Sequence, residues 1–188
     1  MNIACWAEHY SSRMVSPLGA RWTHIAAVAE QARRVSSLLP RHEREILIAA
    51  AYLHDIGYAP ELAITGFHPL DGARLLRLLG HDRVAGLVAH HTRALHEARL
   101  RGLEKALAEF DDEGSLVSGA LAYCDLTTGP SGERMTPEQR LLDVEARYGE
   151  DNPVTNGLRA AWSELMDAIR QVEELLRQPT RSVVAQPR

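Results

Sequence analysis

The stretch Ala49-Ala50-Ala51-Tyr52-Leu53-His54-Asp55-Ile56-Gly57 decides the fold, because an apolar helical pattern meets two adjacent polar residues there. Apolar residues recur at helical spacing from Ile46 to Leu53 and predict a buried helix over residues 41–56, which Gly57 ends. A histidine and an aspartate beside such a stripe need partners, since unpaired charges are rarely buried. The stretch therefore predicts a helical core that carries a polar site.

Helical spacing continues along most of the chain, and no segment alternates as a strand does. We therefore predict an all-α bundle that forms one domain over residues 1–177. Residues 178–188 hold two prolines and few apolar side chains, which predicts a flexible tail. The expected helices cover about residues 2–14, 16–39, 41–56, 68–79, 82–94, 97–110, 115–128, 136–148 and 153–177.

Composition limits the classes of function. Hydrophobic residues make up 45% and charged residues 24% of the 188 residues, as in ordinary globular proteins. The net charge of −4 argues against binding of bulk nucleic acid, and no apolar run is long enough to cross a membrane. No secretory signal is visible, and Cys5 and Cys124 form no CxxC pair, so a reducing cytoplasm is expected. Because Lys105 is the only lysine, arginine, backbone amides or a metal must hold any phosphate.

Histidines are concentrated among apolar neighbours in a way that predicts a metal site. Asp125 lies in a similar setting, inside the apolar helix predicted around residues 121–126. Each buried ring or carboxylate needs a partner, and one shared metal centre supplies it. A second His-Asp pair, His81-Asp82, lies in a predicted turn, and we interpret it as a chance occurrence. Five of the nine histidines lie within or at the start of predicted helices: His24, His54, His68, His90 and His91.

The order of these residues resembles a known signature. His24, then His54-Asp55, then Asp125 resembles the H…HD…D pattern of the HD superfamily of metal-dependent phosphohydrolases. The resemblance covers about residues 20–130. It implies an HD-domain helical bundle, to which this chain adds C-terminal helices.

Further histidines resemble the extended H…HD…H…H…D pattern of dinuclear HD proteins. These are His68, in the fragment His68-Pro69-Leu70-Asp71-Gly72-Ala73, and the pair His90-His91. Together with His54-Asp55-Ile56-Gly57, that fragment resembles the corresponding stretches of HD-GYP phosphodiesterases and of small diadenosine-tetraphosphate-cleaving HD hydrolases.

The resemblance implies which residues hold metal. His24, His54, Asp55 and Asp125 would hold one ion, and Asp55 would bridge to a second. His68 and one of His90 or His91 would complete the second site. The helix face that includes Val88 favours His91. Nitrogen and oxygen ligands favour iron or manganese and leave zinc and cobalt open, with one or two divalent transition ions bound.

The resemblance also implies a reaction. A metal-bound hydroxide would attack phosphorus, with His54 and Asp55 central to catalysis. The expected partner is a small phosphorylated molecule, in particular a nucleotide, and not a membrane; a homodimer is left open. Two alternatives keep the fold: an HD-type diiron oxygenase, resembling the inositol- and phosphonate-cleaving enzymes, and a non-catalytic, metal-binding regulatory module.

The chain departs from its relatives just after His54-Asp55. Many HD enzymes continue with a glycine and a lysine that reaches the substrate, but Tyr58 follows Gly57 here. Arg21, Arg74 or Arg93 could replace that charge, and we take Tyr58 and Arg93 as candidates for substrate binding. No Gly-Tyr-Pro element follows His91, which disfavours cyclic-di-GMP hydrolysis. The loop at residues 127–133 is either a wall of the pocket or an ordinary connection.

Overall fold

The computed structural model describes residues 2–178, and over these residues the chain is all-α, as predicted. The predicted tail lies outside the described residues except for Gln178, so it stays a prediction. No helix of the described part is both long and apolar enough to cross a membrane. The helices are α1 (Ile3–Val15), α2 (Ala20–Val35), α3 (Arg41–Leu53), α4 (His68–Leu78), α5 (Asp82–His90), α6 (Leu95–Leu100), α7 (Glu104–Leu107), α8 (Leu116–Leu126), α9 (Pro137–Tyr148), α10 (Pro153–Ala160) and α11 (Trp162–Arg177).

Helices α3 and α8 lie at the centre of the bundle. Helix α3 packs against α1, α2, α5 and α8, and α8 also packs against α2 and α11. Their apolar residues, among them Leu47, Leu53 and Leu121, are fully buried. The polar residues at the C-terminal ends of these two helices are therefore held deep inside the molecule.

Capping side chains define several helix starts. The side chain of Asn2 accepts a hydrogen bond from the backbone N–H of Cys5. Thr136 and Gln139 form a reciprocal capping box ahead of α9, with Pro137 in its first turn. These starts confirm the helices predicted from Asn2 and from Thr136-Pro137.

Two predicted helix ends next to the polar residues are wrong. The helix expected over residues 41–56 ends at Leu53, and the helix expected over residues 82–94 ends at His90. In the second case Thr92 and Arg93 adopt left-handed backbone conformations, with φ of 50° and 56°. Residues other than glycine rarely adopt such conformations. The helical pattern therefore stops where the functional residues begin.

Helix starts and breaks also differ elsewhere. A short 3-10 turn over Ser16–Leu18 and a left-handed Gly19 precede α2, so Pro17 opens that turn and not the helix. The helix expected over residues 153–177 divides at Ala161 into α10 and α11. This division lets α10 pack against α6 and α9 while α11 packs against α8.

Candidate metal centre

Four imidazole rings and two carboxylates converge at the centre of the bundle. They come from α2, from the turn after α3, from the start of α4, from the turn after α5 and from the last turn of α8. All are buried except the ring of His68, which is partly exposed. In chain order the residues are His24, His54, Asp55, His68, His91 and Asp125.

The first half of the cluster joins α2, α3 and α8. His24 Nε2 lies 3.0 Å from an oxygen of Asp125. His54 Nε2 lies 4.0 Å from the same oxygen and 3.6 Å from Oδ2 of Asp55. Donor atoms of His24, His54 and Asp55 all lie within 4.8 Å of one another, close enough to share one ion.

The second half of the cluster shares Asp55. Its Oδ1 lies 3.2 Å from His68 Nε2, which in turn lies 3.2 Å from His91 Nε2. Asp55, His68 and His91 form a second group whose donor atoms lie within 4.8 Å of one another. The two oxygens of Asp55 thus face two different donor groups, an arrangement that suits a bridging ligand.

Backbone carbonyls fix the orientation of the rings of His54 and His91. His54 Nδ1 lies 2.8 Å from the carbonyl of Ala51, and His91 Nδ1 lies 2.6 Å from that of Val88. A ring nitrogen that donates to a carbonyl leaves the other nitrogen unprotonated and able to bind metal. His54 Nε2 is buried and has no hydrogen-bond partner among residues 2–178. Such an orphaned acceptor, aimed at carboxylates, fits a metal ligand.

The loop after Asp125 has a positioning role. His24 Nδ1 lies 3.1 Å from the carbonyl of Gly129 in this loop. Glu133 turns the loop back, since its carbonyl accepts from the N–H of Gly129 at 2.8 Å and its side chain accepts from that of Ser131 at 2.9 Å. The loop therefore orients His24 through the ring nitrogen that does not face Asp125, and residues 127–133 do not line the cleft that opens beside the cluster.

Burial and charge shift the pKa values of two carboxylates and two rings of the cluster toward the protonation states that metals bind. Burial alone would raise the pKa of the Asp55 carboxyl, but Arg21, His54 and His68 hold it well below its usual range. At Asp125 burial also acts to raise the pKa of the carboxyl, but His24 and other neighbouring groups outweigh it and lower that pKa. Burial lowers the pKa of His68 to about 4 and also lowers that of His91. Ionised carboxylates and neutral imidazoles are the ligating forms at neutral pH.

Close backbone packing places His68 opposite Asp55. A Cβ on Gly57 would lie 2.1 Å from the carbonyl oxygen of His68, so only glycine lets the two segments approach. The buried carboxylate of Asp71 accepts from the backbone N–H and the hydroxyl of Thr65, which holds the loop that leads into α4. These contacts explain the glycine after His54-Asp55 and the aspartate in the His68 fragment.

Arg21 is the cation that lies directly beside Asp55. Its guanidinium donates to Asp55 at 2.7 Å and to the hydroxyl of Tyr148 at 3.3 Å. The guanidinium carbon lies 4.0 Å from the ring centroid of Tyr58, and that ring stacks on His68 at 4.1 Å. Tyr58 therefore packs against both the His68 ring and the Arg21 guanidinium and helps to orient them, although its own side chain carries no charge at neutral pH.

The structure separates the remaining candidates. The ring of His90 lies outside the cluster, because its Nε2 donates to the carbonyl of Phe110 at 2.8 Å. Of the two adjacent histidines, only His91 belongs to a group of donor atoms that could share an ion. Tyr58 and Arg93 line the cleft, whereas Arg74 is exposed and is not part of its lining.

A partly open cleft leads to the cluster. Helices α9 and α10 form one wall of this cleft. The sequence did not lead us to predict that these two helices contribute to the site. The residues of α9 that line the cleft recur at positions i, i+4, i+7 and i+8, which is the spacing of a single helix face. This spacing is the one feature of the sequence that could have indicated their common orientation. The residues of this wall that line the cleft are Arg140, Val144, Arg147 and Tyr148 from α9 and Val154, Gly157 and Leu158 from α10.

An all-α fold with histidine and aspartate donors in this order defines the HD class of helical proteins. A family model described as HD domain matches residues 21–145, more than half of the chain, and the chain belongs to this family. No solved structure matches the chain. Tyr148 and the cleft residues of α10 lie beyond the matched segment.

Proposed function

We propose that this protein is a metal-dependent phosphohydrolase that acts on a small phosphate ester, such as a nucleotide. The observation that carries the proposal is the pair of donor groups that share Asp55, at the bottom of a cleft lined by arginines. Their geometry fits one or two divalent transition ions, with iron or manganese favoured and zinc or cobalt allowed.

The proposed ligands divide between two ions. His24, His54 and Asp125 would bind one ion together with Asp55, and His68 and His91 would complete the other. Divalent ions bound there would lower the pKa of a coordinated water and neutralise charge on a phosphoryl group.

Residues around the donors would hold the phosphoryl group. Arg21 lines the cleft beside Asp55, so its guanidinium can donate to a phosphoryl oxygen that approaches the cluster. Arg93 also lines the cleft, and its ion pairs with Asp112 and Glu164 are long, at 3.7 and 3.9 Å. Its guanidinium is therefore free to turn toward an anionic substrate.

Anaerobic purification with metal quantification, followed by a panel of phosphate esters with added manganese, tests this proposal. We expect release of inorganic phosphate and its loss in His54→Ala and Asp55→Ala, together with loss of bound metal. His42→Ala is the matched control, since the His42 side chain is 76% exposed and remote from the cluster. Full metal occupancy in His54→Ala would contradict the proposed site.

Two other outcomes would replace the proposed reaction. Oxygen consumption with a mixed-valent diiron centre, without phosphate release, would indicate an HD-type oxygenase. A fully loaded protein with no turnover of either kind would indicate a metal-binding regulatory module.

A further inference from the structure

The α9–α10 wall of the cleft includes an apolar patch. Val144 of α9 faces the cleft together with Val154 and Leu158 of α10. Leu126 and Ala94 also line the cleft. Apolar lining around a few polar groups is typical of sites that enclose an organic ligand.

The wall is held rigidly against the rest of the bundle. A Cβ on Gly157 would lie 2.8 Å from the Cα of Glu97, so α10 packs directly on the backbone of α6. Arg159 pairs with Glu145 at 2.8 Å, which ties α10 to α9. A wall fixed in this way is formed before a ligand binds and loses little conformational entropy when one does.

Most positive charge in the cleft is already neutralised. Arg140 and Arg147 both donate to Asp143, at 2.9 and 2.6 Å, and Arg21 donates to Asp55. Of the four arginines that line the cleft, only Arg93 has no partner within hydrogen-bond distance among residues 2–178. A chain of phosphates needs several unpaired cations, whereas one phosphate needs only the metal cluster and one or two arginines.

We propose that the cleft selects phosphate monoesters with an apolar organic group over polyphosphates and over esters of polar polyols. This inference rests on the proposed phosphohydrolase function and names its substrate class. The single phosphate lies at the donor cluster, and the organic group packs on Val144, Val154 and Leu158. In the reaction, water forms a new bond to phosphorus, the ester P–O bond breaks, and the alcohol leaves with a proton, giving inorganic phosphate.

Three substrates test this selectivity on the manganese-loaded protein: benzyl phosphate, glycerol 3-phosphate and ATP. The first two release alcohols of similar reactivity, so a difference in kcat/KM reports binding of the organic group. We expect benzyl phosphate to be preferred to each of the others by about tenfold or more. Equal kcat/KM for the two monoesters, or a preference for ATP, would overturn the inference.

Isosteric variants connect that preference to the wall. Val144→Thr and Val154→Thr each replace a methyl group by a hydroxyl of similar size and should together reduce the preference about tenfold. Leu142→Gln is the control, since Leu142 lies on the same helix but is 63% exposed and outside the cleft lining. A preference that survives both threonine substitutions would show that the wall does not select the substrate.

Binding without turnover separates this inference from the proposed reaction. Calorimetry would compare benzylphosphonate with methylphosphonate on the metal-loaded protein. If no ester is hydrolysed but benzylphosphonate binds at least tenfold more tightly and the threonine variants abolish the difference, the reaction is wrong and the selectivity stands. If esters are hydrolysed but the two phosphonates bind equally, the reaction stands and the selectivity is wrong.

Discussion

His90 and His91 are consecutive in the chain, but their rings contact different parts of the molecule. His91 Nε2 lies 3.2 Å from His68 Nε2 inside the donor cluster, whereas His90 Nε2 donates to the carbonyl of Phe110. Helix α5 ends between them, and Thr92 continues in a left-handed conformation. Because the helix ends between these residues, the ring of His91 lies in the donor cluster, whereas the ring of His90 contacts the backbone of Phe110.

Substitution of these two histidines should have separate effects. His91→Ala removes a proposed metal ligand and should weaken metal binding by the group that contains Asp55 and His68 at least tenfold. His90→Ala should leave the metal content unchanged and lower the free energy of unfolding by about 1 kcal/mol, the net value of one hydrogen bond. Metal quantification and urea denaturation measure the two effects. Equal metal loss in both variants would contradict the assignment.

Arg21 should stabilise the metal-free protein while competing with metal. Arg21→Gln leaves the buried carboxylate of Asp55 without its closest cation and should cost the metal-free protein about 3 kcal/mol. A divalent ion supplies that charge itself, so the loss should shrink when manganese saturates the protein. The increase in Tm on adding manganese should therefore be larger in Arg21→Gln than in the wild type.

Arg147→Gln is the matched control for that measurement, because Arg147 lines the same cleft but pairs with Asp143. Its manganese-induced increase in Tm should equal that of the wild type. An unchanged or smaller increase in Arg21→Gln would show that Arg21 does not compensate the charge of Asp55.

Local patterns explain why much of the cluster could be predicted. The apolar stripe before His54 and the apolar run around Asp125 make these polar residues conspicuous without any knowledge of tertiary structure. Long-range contacts explain what could not be predicted. The position of His68 depends on how closely its backbone approaches Gly57, and the orientation of His24 depends on the carbonyl of Gly129.

The cleft wall was missed for the same reason. Helix propensity predicts α9, but the contact between Gly157 and Glu97 joins segments 60 residues apart and has no local signature. Substrate selectivity depends on such contacts, so the sequence indicates the metal centre more firmly than the substrate.

The two cysteines should differ in reactivity. Cys5 is exposed, whereas Cys124 is fully buried in α8, and burial raises the pKa of its thiol. Because the thiolate is the reactive form, a disulfide reagent should modify one thiol per chain in the native protein and the second only in denaturant. Cys5→Ser should remove the fast reaction entirely. Rapid modification of both thiols would contradict the packing of α8.

Gly157 should be essential for the position of α10. Gly157→Ala places a methyl group against the backbone of Glu97, which cannot move as a flexible side chain would. We expect the free energy of unfolding to fall by about 1–3 kcal/mol, the usual range for overpacking. Displacement of α10 should also open the cleft and weaken binding of benzylphosphonate to the metal-loaded protein.

Gly119→Ala is the control for that substitution, because its nearest contact would be the Cβ of Ala168 at an ordinary 3.7 Å. Both glycines lie inside helices, so alanine improves helix propensity by up to about 1 kcal/mol in each case. Gly119→Ala should therefore be neutral or stabilising in urea denaturation. If Gly157→Ala were as stable as Gly119→Ala and bound the phosphonate normally, α10 would not lie as close to α6 as the structure places it.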